Sequence, residues 1–176
     1  GIQSFNDKEL LFLSRRHTAQ EATDAVKRAQ EQGFHNISID LIYGLPGQTE
    51  KVWQENLCQA SELQVQHLSA YHMIYEEKTL RHALMQAGKV KPMDEEISTV
   101  MFAMLIDWMI QHGFIHYEIS AFGKEGFFSR HNTAYWKGEK YLGLGPSAHS
   151  FDGDSRSWNV ASITEYIHGV TSGKVY

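Results

Sequence analysis

Three stretches carry side chains whose types and spacing could do chemistry. Asp40 sits on the polar face of a β-branched run, His35-Asn36-Ile37-Ser38-Ile39-Asp40-Leu41-Ile42-Tyr43. A carboxylate on such a strand costs desolvation unless something pairs with it. Asp40 therefore reads either as an acceptor for a polar ligand, such as ribose hydroxyls, or as an exposed edge or internal salt bridge. His131-Asn132-Thr133-Ala134-Tyr135-Trp136 sets an imidazole, an amide and two large aromatics side by side. That set can grip a flat conjugated ligand, with imidazole on a metal and rings against a macrocycle. Taken alone, the residues favour two rings plugging a loop onto the core while His131 caps it.

The third stretch is Gly143-Leu144-Gly145-Pro146-Ser147-Ala148, which imitates a dinucleotide fingerprint. No good strand precedes it and Pro146 sits inside the turn, so the match is weak. Gly44-Leu45-Pro46-Gly47-Gln48-Thr49 lacks the Gly-Lys-Ser/Thr ending of a phosphate loop and reads as a strand-to-helix turn of type II. Most of the ten histidines read as surface groups or satisfied partners. His112 and His116 are separated by the helix breaker Gly113, and His67 and His72 fall on opposite faces of a strand.

The elements that must position these groups alternate. Thr18-Ala19-Gln20-Glu21 is a capping box opening a helix to Gln32, closed by Gly33. The Asp40 strand follows. Thr49 then caps a second helix with a stripe of Trp53, Leu57, Ala60 and Leu63, and His67 to Ile74 is the next strand. Helix–strand–helix–strand with short links is the signature of βα units around a parallel sheet. Ile37, Ile39 and Leu41 face outer helices, whereas Ser38 and Asp40 form a polar inner face of the kind a β/α barrel offers a ligand. A charged linker precedes a helix capped by Asp94, whose apolar face is read as Ile97, Val100, Met101, Met104, Leu105 and Trp108. Phe114 to Ile119 reads as one strand. Ser120 to about Asp154 shows no period and reads as a long functional loop. A helix from about Ser162 to Thr171 follows.

Composition narrows the classes. Of 176 residues, 42% are hydrophobic and 21% charged, which fits a globular chain rather than a disordered one. No stretch approaches the roughly 18 apolar residues of a membrane span. Sixteen Lys and Arg against 21 Asp and Glu leave a net charge of −5 with no basic run, arguing against nucleic acid as a partner. The single cysteine, Cys58, expected mid-helix and buried, excludes an internal disulfide and a thiolate-ligated zinc or iron–sulfur site. The opening at Gly1 rather than methionine reads as a piece of something longer.

Taken together, Gly1-Ile2-Gln3-Ser4-Phe5, Arg15-Arg16-His17, Ile39-Asp40-Leu41-Ile42-Tyr43-Gly44-Leu45-Pro46-Gly47-Gln48-Thr49 and Gly143-Leu144-Gly145-Pro146-Ser147-Ala148 resemble the oxygen-independent coproporphyrinogen III oxidases and their relatives. These are radical S-adenosylmethionine (SAM) enzymes. Tyr117-Glu118-Ile119-Ser120 and the His131–Trp136 string resemble the heme-chaperone branch of that family.

The resemblance implies an α/β fold: the C-terminal half of a partial (β/α)6 barrel over residues 1–78, and the start of an α+β C-terminal region over 79–176. It implies SAM contacts at Gln3, Arg15, Asp40, Ile74 and His149, with Ile74 and His149 acting through the backbone. It implies heme contacts at His131, Asn132, Tyr135 and Trp136, which reverses the reading favoured by the residues alone. It places the three cysteines for a [4Fe–4S] cluster before residue 1, so this polypeptide is expected to bind no cluster and to be inactive alone. The expected partners are porphyrin or heme, a heme-acceptor protein and a second copy of the chain, in the cytoplasm. The alternative activity is oxidative decarboxylation of coproporphyrinogen propionates to vinyl groups.

Overall fold

The structure, a computed structural model, describes residues 1–173. Two compact units divide between Phe128 and Ser129. The boundary expected at residue 78 lies within the first of them.

Unit 1 opens with Gln3 bridged to Leu41, helix α1 (Asp7–Phe12) and helix α2 (Ala19–Glu31). The expected capping box is present at α2: Thr18 accepts from Glu21 N while Glu21 reaches back to Thr18 N. Strand β1 (Ser38–Tyr43), helix α3 (Glu50–Glu62) and strand β2 (His67–His72) follow, and β1 and β2 pair in parallel. Between β1 and α3 the chain turns over Leu45-Pro46-Gly47-Gln48, where Gln48 N donates to Leu45 O at 3.0 Å and Gly47 takes φ +73°. This is the expected type II turn. Gly44 has a stricter requirement: its φ is +75°, and a β-carbon there would meet His72 Nε2 at 2.5 Å.

Helix α4 (Leu80–Gln86) lies within the segment read as a charged linker; its Thr79 cap is the only local signal. Helix α5 (Glu95–Gln111) starts at Asp94 as expected. Its buried stripe is Met101, Leu105 and Met109, while Ile97 and Val100 are 40% and 44% exposed. α5 is apolar almost all round, so hydrophobic spacing alone does not select the face that tertiary packing buries.

The single strand expected over 114–119 is a hairpin of strand β3 (Ile115–Glu118) and strand β4 (Ala121–Gly123). β4 pairs antiparallel with β2, giving the order β1-β2-β4-β3. Leu41, Tyr43, Trp53, Leu57, Leu68, Ala70, Met101 and Leu105 form the core between the helices and one sheet face. Burying such side chains stabilises by about 1.5–3 kcal/mol each. Cys58, expected buried, is exposed on α3, turned away from the Trp53–Leu57–Ala60 stripe.

Unit 2 corrects the reading of a structureless loop. It holds helix α6 (Arg130–Trp136), an antiparallel ribbon of strand β5 (His149–Phe151) and strand β6 (Arg156–Trp158), and helix α7 (Ile163–Thr171). Asp152 organises the ribbon's turn, accepting from Asp154 N, Ser155 N and Ser155 Oγ. Those bonds, led by the Ser155 N–H, hold its carboxyl below the usual range. No described helix is long and apolar enough to cross a membrane.

Candidate functional site

The face of β1 turned from the core carries Ser38, Asp40 and Ile42, and residues opposite them in the parallel register are His67, Ser69 and Tyr71. Asp40 is half-exposed and Ser69 buried. Gln3 lies along β1: its N–H donates to Asp40 O at 2.7 Å and its carbonyl accepts from Ile42 N at 2.8 Å. Gln3 is 8% exposed yet takes φ +73°. That left-handed conformation costs a non-glycine residue about 1–2 kcal/mol and persists only where its surroundings determine it. A β-carbon built on Gly1 would lie 1.9 Å from Gln3 Nε2 and 3.2 Å from Asp40 Oδ2. The amide and the carboxylate thus flank one point.

A buried polar cluster, which the residue patterns did not flag, holds the segment after Gln3. Asn56 on α3 accepts from Phe5 N at 2.5 Å, and its Nδ2 donates to Glu9 Oε2 at 3.2 Å and Val52 O at 3.1 Å. Ser4 Oγ donates to Glu9 and accepts from Asn6 N at 2.9 Å. Burial pushes the Glu9 carboxyl up, against hydrogen bonds from its neighbours that favour the charged form. The available signal was Asn56 itself, a polar residue inside the Trp53–Leu57–Ala60 stripe, where an amide must find partners.

A second network crosses the N-terminal ends of the strands. Ser38 Oγ is 2.7 Å from His67 Nδ1, and Tyr117 Oη is 2.6 Å from His67 Nε2. The β3–β4 register shifts between His116 and Glu118, so Tyr117 is the bulged residue, re-aimed at His67 and stacked on Phe128 at 4.5 Å. His67 is 4% exposed, and burial pulls its imidazole down although Asp40 and Glu118 pull it up.

Of the other residues matched to a SAM site, Arg15 is exposed and follows a Schellman closure of α1. Ser14 takes φ +57° and donates to Leu11 O, and Arg15 N donates to Leu10 O at 2.9 Å. Its guanidinium makes no ion pair among the described residues. Ile74 is 64% exposed just beyond β2. Neither hydrogen-bonds to Gln3 or Asp40. His149 lies in unit 2 at the start of β5, its ring 6.0 Å from that of Trp158.

The aromatic string is helical. Ser129 caps α6 by accepting from Asn132 N. The helix spacing brings the His131 and Tyr135 rings edge to face at 4.9 Å, and Tyr135 meets Tyr141 at 4.7 Å. Trp136 keeps 63% of its surface exposed and Asn132 is half-buried. Among the described residues no group of three or more His, Cys, Asp or Glu could hold a metal. His112 instead caps α5 at Trp108 O, and His116 stacks on Phe122 at 4.4 Å.

The family model of the radical SAM superfamily matches residues 1–57. The heme chaperone HemW of Bacillus subtilis is 40% identical over 167 residues, covering 95% of this chain and 44% of its own length. HemW of Lactococcus lactis is 34% identical over 174 residues, 99% of this chain and 46% of its own. The chain superposes on coproporphyrinogen III oxidase (HemN) from Escherichia coli, a radical SAM enzyme, with a TM-score of 0.75 and 23% identity, covering 97% of this chain and 42% of that one. The chain spans less than half the length of these relatives. It belongs to the radical SAM superfamily, in the coproporphyrinogen oxidase-like group that includes the HemW branch. The expected α/β barrel half is accordingly the fold it has.

The superfamily implies SAM and a [4Fe–4S] cluster in full-length members. The cluster does not fit this polypeptide, whose only cysteine stands alone on the outer surface of α3. SAM fits better. Gln3 and Asp40 present an amide and a carboxylate flanking one point, on the face of the parallel β1–β2 pair turned from the core.

Proposed function

We propose that this chain is the part of a heme-handling radical SAM protein that orients SAM and supplies a heme-contacting helix. The observation that carries the SAM half is Gln3, held left-handed against β1 with its amide beside Asp40. Asp40 would accept from ribose hydroxyls or the amino group, Gln3 would donate and accept beside it, and Arg15 would pair with the cofactor carboxylate. Ile74 would add a backbone contact. SAM supplies radical chemistry when bound; these residues bind and orient it.

The heme half rests on α6. Its helical spacing packs Tyr135 behind His131, so the imidazole is braced while Trp136 stays open for a macrocycle face. Asn132 would add a polar contact at the rim. HemW relatives are named heme chaperones, which favours holding and passing heme to an acceptor protein over turning over a porphyrinogen. The exposed free thiol of Cys58 suits a reducing compartment, and the cytoplasm is the proposed location. Pairing with a second copy of the chain is part of the same proposal.

The test uses the full-length protein, titrated with hemin while the Soret band is followed and assayed separately for coproporphyrinogen consumption. Stoichiometric hemin binding, weakened by His131→Ala and by Trp136→Ala, is expected. Porphyrinogen turnover without hemin binding would replace the chaperone reading with the dehydrogenase one.

A further inference from the structure

The ring contacts of α6 do not stop at Tyr135. Tyr141 pairs with Phe151 through two backbone hydrogen bonds of 2.9 Å, and their rings lie 6.1 Å apart. Residues directly opposite in antiparallel strands share a face. In the β5–β6 register His149 faces Trp158 and Phe151 faces Arg156, while Ser150 and Ser157 occupy the other side. One face of the ribbon therefore carries His149, Phe151, Arg156 and Trp158, continued by Tyr141 and Tyr135 to His131. It is a surface of rings with one cation on it.

That cation has no acid to answer it. Arg156 stacks its guanidinium over Phe151 at 5.5 Å and makes no ion pair among the described residues. Of the two nearest carboxylates in sequence, Asp154 forms no ion pair with it and Asp152 is committed to its own turn through three hydrogen bonds. Trp158 keeps 65% of its surface exposed beside a cleft of 440 Å³ lined by Ser147, His149, Asn159 and Val160. The cleft wall is firm: Asn159 Nδ2 donates to Gly143 O and Gly145 O, and Gly145 N donates to the Tyr166 hydroxyl.

A run of rings in tilted and edge-to-face contact, bearing an uncompensated guanidinium, matches a ligand that is flat and apolar over its face and anionic at its edge. A porphyrin macrocycle with propionates has that chemistry; a nucleotide would ask for donors to phosphate from backbone N–H groups, and in the Gly143–His149 loop Gly143, Gly145, Ser147 and Ala148 already donate within the fold. We propose that the β5–β6 ribbon is a second contact surface for the porphyrin, with Trp158 and Phe151 against the macrocycle and Arg156 on a propionate. This rests on the heme reading of α6 and extends it from one short helix to the whole ring-lined face of unit 2.

The experiment compares hemin with hemin dimethyl ester, whose propionates are blocked, as probes of the full-length protein. Arg156→Gln should weaken hemin about tenfold, the loss of one charge-assisted pair, and leave the ester within about twofold. Trp158→Ala should weaken both probes about tenfold, and Trp158→Phe should recover most of that. Arg156 is solvent-exposed, so its substitution tests the surface in a folded protein even if Trp158→Ala proves unstable. Equal losses on both probes in Arg156→Gln would overturn the propionate pairing. Parent-like titrations of Arg156→Gln and Trp158→Ala, with His131→Ala still weakened, would confine the site to α6 and overturn the proposal alone. Failure of the parent protein to bind hemin would remove the heme reading itself.

Discussion

Trp53 on α3 is fully buried and donates from Nε1 to Met101 O at 2.9 Å, whereas Trp136 at the end of α6 leaves 63% of its surface open. The same contrast separates the two regions around them. In unit 1, Gln3, Ser4, Glu9, Asn56 and His67 are buried, with backbone or side-chain hydrogen bonds fixing each one. In unit 2, His131, Tyr135, Trp136, Arg156 and Trp158 are exposed, and all but Trp136 are held by ring contacts rather than by buried hydrogen bonds. A cofactor whose reactive bond must be aimed needs the first arrangement, because orientation depends on groups that cannot move. A cargo that must be picked up and released suits the second, where little ordering is required and the ligand can leave over an open edge.

Substituting the two tryptophans is the strongest way to break this comparison. Trp53→Ala should destabilise the protein by about 3–5 kcal/mol, the cost of a large core cavity plus an orphaned Met101 carbonyl, read by denaturant unfolding. Trp136→Ala should move stability by no more than about 0.5 kcal/mol and show its effect in hemin titration instead. A large stability loss at Trp136 would mean that its ring belongs to a core and is no ligand surface.

The polar cluster behind Gln3 sharpens the other side. In Asn56→Asp the Phe5 N–H keeps its acceptor, but Glu9 and Val52 lose a donor and a second carboxylate enters the cluster. Leaving such buried groups unpaired costs about 1–3 kcal/mol. If the cluster positions Gln3, SAM binding by the full-length protein should weaken about tenfold in calorimetry, in the same direction as Asp40→Ala. Adding Glu9→Gln supplies an amide donor to the new carboxylate and should recover most of both losses. Restored stability without restored SAM affinity would show that the cluster serves folding and leaves the cofactor untouched.

How much of this was legible beforehand follows the physics of each signal. Thr18, Thr49 and Asp94 announced helix starts because capping is a local event within one turn. The alternation of Ser38 and Asp40 with Ile39 and Leu41 announced the strand and its inner face because the period of two is local as well. The Asn56–Glu9–Ser4 cluster was not legible, since its members are 47 and 52 residues apart and their meeting depends on the packing of α1 against α3. The ribbon in unit 2 was hidden for a different reason. Its strands are three residues each, too short for a period, and its turn is set by Asp152 hydrogen bonds that resemble those of any loop.

The smallest expected effect lies in the pH dependence of the buried side. His67 is neutral in the fold because burial outweighs the pull of Asp40 and Glu118, so its pKa falls below the unfolded value of about 6.5. Between those two values the unfolded chain binds a proton that the native protein refuses, so stability rises with pH. The His67 contribution is therefore complete above pH 6.5 or so and is lost as pH falls through that value toward the folded pKa. One such group contributes a slope of no more than about 1.4 kcal/mol per pH unit. His72, also pulled down by burial, adds to the slope in the same direction, so the measurement must be a difference. Unfolding free energies of the parent and His67→Gln, compared from pH 7.5 to 5, should show a shallower fall in the variant. Equal slopes would place the imidazole in a site wet enough to take the proton, and the rigid hydrogen-bonded floor assigned to this half of the molecule would lose its His67–Tyr117 link.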